Sequence, residues 1–156
     1  MEVKLKEGSK APIFEGYDQN GNKVSLKDYL GKKVVLYFYP KDNTPGCTAQ
    51  ACNLRDNYQL LLSKGFQVIG VSIDTVKMHK NFEKKYELPF TLIADPEQVI
   101  VKQYGVWSNK FFMGRTFLGT HRTTFLIEEK GIIKKIIDKP NTKSHTEQVL
   151  EAWDEQ

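Results

Sequence analysis

Two continuous apolar runs decide what this chain can fold into. Val34-Val35-Leu36-Tyr37-Phe38-Tyr39 and Phe66-Gln67-Val68-Ile69-Gly70-Val71-Ser72-Ile73 are rich in β-branched and aromatic residues and show little polar alternation. Strands of this kind are buried on both faces, which requires a sheet covered by helices on each side. Between the runs, Ala51, Leu54, Tyr58, Leu61 and Leu62 recur at helical spacing. Thr44-Pro45 supplies an N-cap and a proline at the first helical position, and Gly65 the stop. A strand, helix, strand order with a crossover of this length makes a parallel, right-handed unit.

The remaining elements extend that unit. Asp18-Gln19-Asn20-Gly21 is a turn signal between residues 11–17 and 23–26, predicting an N-terminal β-hairpin. A helix is predicted over about 76–86, stopping before Pro89, then a strand at Phe90–Ile93 and a helix near 97–104. Thr123–Ile127 and Ile132–Ile137 flank Glu128–Gly131 as a second hairpin, and an amphipathic helix from about Ser144 to Trp153 closes the chain. Trp107, Phe111, Phe112, Met113 and Phe117 lie in a segment of weak periodicity. Core packing is the default for them; the functional alternative is a mobile apolar lip contacting substrate or a partner. No repeat, linker or composition break divides the chain, so residues 1–156 read as a single α/β domain, a central sheet flanked by helices.

Composition removes whole classes of function. Hydrophobic residues at 40% and charged residues at 27% are globular values. The net charge of +4 is spread as short basic pairs, without a long basic tract or zinc-finger spacing, so no nucleic-acid partner is expected. Met1–Glu7 lacks the apolar run of a signal peptide, and no window approaches the ~20 apolar residues of a membrane span. No membrane partner is expected, and the location read from these features is the cytoplasm. Only 2 cysteines occur, too few for a disulfide-stapled secreted scaffold. In a reducing compartment, such a pair suggests catalysis, redox sensing or metal binding. His79, His121 and His145 are widely spaced and lack metal-ligand spacing near the cysteines, so no metal is expected. No Gly-rich phosphate-binding loop appears, and no cofactor is expected.

The chemistry concentrates in Pro40–Cys52, at the carboxyl end of a buried strand and the opening of a helix. Cys47 falls in the first helical turn, where free N–H groups and the macrodipole favour a thiolate. The competing reading is a small buried hydrophobe. Cys52 lies five positions on. Five helical steps give a rise of about 7.5 Å and a rotation of about 140°, so the Cα atoms sit roughly 8–9 Å apart. A disulfide needs about 4.4–6.8 Å. The pair can therefore bond only if the first turns unwind.

Pro40-x-x-x-Thr44-x-x-Cys47 resembles the peroxiredoxin active-site pattern, and Thr44-Pro45-Gly46-Cys47-Thr48-x-Gln50-Ala51-Cys52 resembles its bacterioferritin-comigratory, or peroxiredoxin Q, branch. The likeness extends to Gly105-Val106-Trp107, Phe112-Met113-Gly114 and His121-Arg122-Thr123-Thr124-Phe125-Leu126-Ile127. It implies a thioredoxin-like fold, thiol-dependent reduction of hydrogen peroxide and organic hydroperoxides, and a monomer. It further implies that Cys47 is the peroxidatic nucleophile and Cys52 the resolving thiol. The intramolecular disulfide they form would be reopened by thioredoxin or a similar dithiol reductant. Thr44 and Arg122 would complete the site, and Pro40 would shape its wall.

Physical chemistry supplies a reason for each role. Arg122 stays charged at any working pH, favours a thiolate and can orient peroxide oxygens through several donors. Thr44 offers a hydroxyl to the sulfur and to an incoming oxygen, and Pro40 removes a backbone donor beside them. His121, next to Arg122, is the histidine expected to approach the site. Two other readings stay open on the residues alone: a general disulfide oxidoreductase, although Cys-x-x-Cys is absent, and a zinc-binding or redox-sensing interaction module.

Overall fold

The strand, helix, strand unit forms the centre of the sheet. The computed structural model describes residues 5–155; Met1–Lys4, part of the stretch read as lacking a signal peptide, lie outside the described residues. The strands are β1 (Glu15–Asp18), β2 (Lys23–Ser25), β3 (Lys33–Phe38), β4 (Phe66–Ser72), β5 (Thr91–Ala94), β6 (Trp107–Phe112), β7 (Arg115–Thr120), β8 (Thr123–Ile127) and β9 (Ile133–Ile137). The helices are α1 (Pro45–Asp56), α2 (Tyr58–Ser63), α3 (Val76–Tyr86), α4 (Val99–Gln103) and α5 (His145–Asp154).

Seven strands make one mixed sheet in the order β2-β1-β5-β4-β3-β8-β9. β3 pairs in parallel with β4, and β4 with β5, whereas β8 runs antiparallel beside β3. Alternate residues of a strand face opposite layers. Leu36 and Phe38 of β3 join Phe14, Val101, Tyr104 and Phe125 on one side of the sheet. Val35, Tyr37 and the following Tyr39 join Ala51, Leu54, Phe82 and Val149 on the other, beneath α1, α3 and α5. The two-sided burial read from the apolar runs is what the sheet displays, and its strand order and flanking helices make a thioredoxin fold.

Three expectations need correction. The single helix from Thr44 to Gly65 is two, broken at Asn57, whose backbone sits at φ −110° and ψ 14°. The Asn57 side-chain amide donates to the Asn53 carbonyl at 2.8 Å, competing with the helical ladder there. The helix near 97–104 shrinks to α4, entered through a left-handed Gln98 and held by the Asp95 carboxylate, which accepts from the Val99 and Val101 amides. The largest departure is the segment around Phe111, expected to pack in the core. It is a separate two-stranded ribbon, β6–β7, closed by a Met113-Gly114 turn in which both residues have positive φ. Such a turn matches the twist of a hairpin. Phe111, Phe112, Met113 and Phe117 are exposed on it. The N-terminal hairpin forms as predicted, with strands shorter than expected and a 3₁₀ turn at Leu26–Tyr29.

Candidate active site

The site begins where β3 leaves the sheet. The Tyr39 amide donates to the Val71 carbonyl at 3.1 Å, and Pro40, with no N–H, ends the ladder. The loop that follows is clamped at Asp42. Its Oδ1 accepts from the Tyr39 hydroxyl at 2.6 Å, and its amide donates to Asp74 Oδ2 at 2.8 Å. Its Oδ2 meets His79 Nδ1 at 2.6 Å, and His79 Nε2 meets the Ile93 carbonyl at 2.9 Å. The ring is thus wedged between the Asp42 carboxylate and the Ile93 carbonyl. The ligand atoms of Asp42, Asp74 and His79 lie within 4.8 Å of one another, a spacing that suits a metal ion. They are already taken up by each other and by Tyr39, Ser72 and Ile93, so the cluster works as a scaffold for the loop. Burial, then the charge of Asp42, drives the Tyr39 phenol well above its ordinary range, so it remains a donor.

The loop delivers Thr44 to the N-cap of α1 and Pro45 to its first position. The Thr44 carbonyl accepts from Thr48 at 2.8 Å, but the hydroxyl donates back to the Lys41 carbonyl at 2.9 Å and neither caps the helix nor bonds the sulfur. The first turn therefore keeps its N–H groups free of any side-chain cap, and it contains no acidic residue. A cap is worth about 1 kcal/mol, so this helix start is weakly held.

Cys47 sits in that turn, 1% exposed, packed with Tyr37, Tyr39 and Ala51. Arg122 reaches it from the junction of β7 and β8. Phe38 of β3 pairs with Thr123 of β8, so the residue before Thr123 arrives at the end of β3 beside the start of α1. Arg122 Nη2 donates to Cys47 Sγ at 3.3 Å, and Nη1 donates to Gln50 Oε1 at 2.7 Å. Gly46 leaves room for this: a Cβ there would stand 3.2 Å from Nη2. The guanidinium is thus held at two points, with one N–H aimed at the sulfur.

Sequence reasoning quoted Gln50 only as part of a motif and gave it no role. The structure buries it completely, which is unusual for a glutamine, and no pattern in the sequence marks that burial. Tyr37 also lines the thiol; burial, followed by the charges of Asp42 and Cys47, raises its phenol well above the ordinary value. The histidine expected near the site, His121, instead binds the Asn109 carbonyl at 3.1 Å. His145 is the one that feels Arg122. Burial lowers it to about 4, opposed by a hydrogen bond to Gln148 and assisted by the Arg122 charge. Neutral at physiological pH, it donates from Nδ1 to Gln148 Oε1 at 3.0 Å and accepts the Thr124 hydroxyl at Nε2 at 2.9 Å.

Cys52 lies half-buried on the same unbroken helix as Cys47, and both thiols are free. The next residue, Asn53, ties α1 to α5: its Oδ1 accepts the Thr146 amide at 2.8 Å, and its Nδ2 donates to the Lys143 carbonyl at 3.0 Å.

A buried thiol at a weakly capped helix start, under a fixed guanidinium and at the end of a thioredoxin-fold strand, defines a thiol-dependent oxidoreductase. Residues 8–136 match the AhpC/TSA family. The chain is 45% identical over 146 residues to peroxiredoxin Bcp of Escherichia coli, covering 94% of each. It is 41% identical over 145 residues to peroxiredoxin Bcp of Bacillus subtilis, covering 93% of this chain and 92% of that one. A peroxiredoxin Q structure from Xylella fastidiosa superposes with a TM-score of 0.90 at 28% identity, covering 97% of this chain and 96% of that one. Structures on the alkyl peroxide reduction activity of Xanthomonas campestris bacterioferritin comigratory protein superpose at 0.83 with 31% identity, covering 89% and 88%. The chain belongs to the AhpC/TSA family and is a peroxiredoxin of the Bcp, or peroxiredoxin Q, branch.

Proposed function

We propose that this peroxidase reduces hydrogen peroxide and organic hydroperoxides through Cys47, with Cys52 resolving the intermediate. The observation that carries the reading is the Arg122 N–H on the Cys47 sulfur at the start of α1. The Cys47 thiolate attacks the nearer oxygen of ROOH, the O–O bond breaks, and the leaving oxygen takes a proton as water or alcohol. Sulfur, oxidised by two electrons, becomes a sulfenic acid. Arg122 and the free N–H groups of the helix start face the charge that develops on the departing oxygen. Pro40 walls the site without offering a backbone donor, and Thr44 turns its hydroxyl from Lys41 toward the substrate oxygens. Cys52 then condenses with the sulfenic acid, releasing water and leaving a disulfide. A dithiol reductant of the thioredoxin kind reopens it by exchange. The whole cycle fits one domain, acting as a monomer in a cytoplasm that keeps both thiols reduced, without a cofactor or metal.

Two outcomes test the division of labour. Cys52→Ser should still form a sulfenic acid stoichiometrically, trapped by dimedone and weighed by mass spectrometry. Its thioredoxin-coupled turnover should fall by roughly ten-fold or more. Undiminished coupled turnover would remove Cys52 from the cycle. Oxidation of the pair should also melt α1. The thiol Cα atoms must close from roughly 8–9 Å to within about 6.8 Å, which the intact helix forbids. Helical CD and amide protection over 45–56 should both drop on oxidation, with the Asn53 bonds to Thr146 and Lys143 among those lost. Identical exchange in both redox states would refute the unwinding.

A further inference from the structure

The β6–β7 ribbon stands apart from the seven-stranded sheet, and the peroxide cycle makes no use of its tip. Its register divides it into two faces. Phe111 and Leu118 lie on one face, opposite Thr116 and Asn109. Phe112 and Phe117 lie on the other, opposite Arg115 and Lys110. Phe111 is 74% exposed, Phe112 65% and the turn residue Met113 85%. Apolar side chains thus project from both faces and from the tip. Exposed apolar patches of this kind mark contacts with proteins or membranes. A folded protein surface covers one face of a two-stranded ribbon, whereas a lipid interface surrounds a tip and covers both.

Charge selects the kind of interface. From Gln98 to Ile127 the chain has no acidic residue, but it carries Lys102, Lys110, Arg115 and Arg122. Lys110 and Arg115 lie on the ribbon itself, Arg115 directly after its turn, whereas Lys102 is on α4 and Arg122 is held by Gln50 and Cys47. Aromatic and sulfur-bearing tips flanked by basic residues suit the boundary of anionic headgroups and acyl chains. We propose that the β6–β7 hairpin seats its Phe111-Phe112-Met113 tip on an anionic phospholipid surface. No helix among the described residues is long and apolar enough to cross a membrane, so this contact is peripheral. The expectation of no membrane partner rested on the missing span, and the hairpin revises it. Six-residue strands reach about 20 Å, and the base of the ribbon leads directly through His121 to Arg122. A seated tip therefore holds the Cys47 site within a short distance of the lipid.

The test is co-sedimentation of the full chain with phosphatidylcholine vesicles containing phosphatidylglycerol, against vesicles of phosphatidylcholine alone. Wild type should bind only the former, and added salt should release it. The double variant Phe112→Asp, Met113→Asp should weaken binding by about ten-fold or more. Arg115→Gln should weaken it by about five-fold. Turnover of hydrogen peroxide by these variants should match wild type, which reports that they fold and keeps this test separate from the peroxidase reading. Wild type that stays in solution with the anionic vesicles overturns the proposal, as do variants that bind like wild type. Concentration-dependent dimerisation abolished by the double variant, without vesicle binding, would make the tip a self-association surface and overturn it equally.

Discussion

Cys47→Ser is expected to abolish peroxide consumption, a loss on the order of 10⁴-fold or more. The hydroxyl is a far weaker nucleophile than a thiolate, and neither the helix start nor Arg122 can make it comparable. The substitution also buries a hydroxyl in a 1% exposed position among Tyr37, Tyr39 and Ala51. An unsatisfied group there costs about 1–3 kcal/mol, although the Arg122 donor and the helical ladder offset part of it. Thermal unfolding and far-UV CD therefore need to accompany the assay. A folded Cys47→Ser protein that still turns over hydrogen peroxide in the coupled thioredoxin assay would end the assignment of the nucleophile.

Most of the sheet was legible because its central strands are apolar on both faces. A sheet covered by helices on both faces hides the residues of both runs, and β3 and β4 are nearly wholly buried. The helix break at Asn57 was not legible, because apolar residues keep their spacing through it and only a side-chain bond to Asn53 marks the break. The β6–β7 ribbon escaped for a related reason. Period-two alternation reveals a strand when one face is apolar and the other polar, and here both faces carry aromatics.

The site was half legible. A cysteine at a helix start can be read from Thr44-Pro45-Gly46-Cys47 alone. That Arg122 meets it, 75 positions away, depends on β8 lying antiparallel against β3, and only the family resemblance anticipated that pairing. The clamp formed by Asp42, Asp74 and His79 draws on three elements with no shared motif. No local pattern foretells a buried network of that kind, because each residue alone reads as an ordinary surface group. The same holds for His145, whose burial beneath Thr124 emerges only when α5 packs against β8.

Arg122→Gln should lower the second-order rate of sulfenic acid formation by about 10²–10³-fold, the cost of removing a preorganised donor at a developing negative charge. Glutamine keeps a hydrogen-bond donor but loses the charge, and it cannot reach Gln50 and Cys47 together. Arg122→Lys keeps the charge and should still lose roughly ten-fold or more. An ammonium has no planar fork, so it cannot hold Gln50 Oε1 at 2.7 Å and the sulfur at 3.3 Å along two defined directions. Gln50→Leu separates the two contacts, since it leaves the guanidinium intact but unmoored and should fall between wild type and Arg122→Lys. The later steps discriminate a catalytic role from a structural one. In the proposed cycle, condensation with Cys52 and reduction by a dithiol would need α1 open, and that opening would remove Cys47 from Arg122. Stopped-flow mixing should therefore show a slower peroxide step in Arg122→Gln, with disulfide formation and reduction unchanged. A uniform slowing of all three steps would mean that Arg122 only braces the fold.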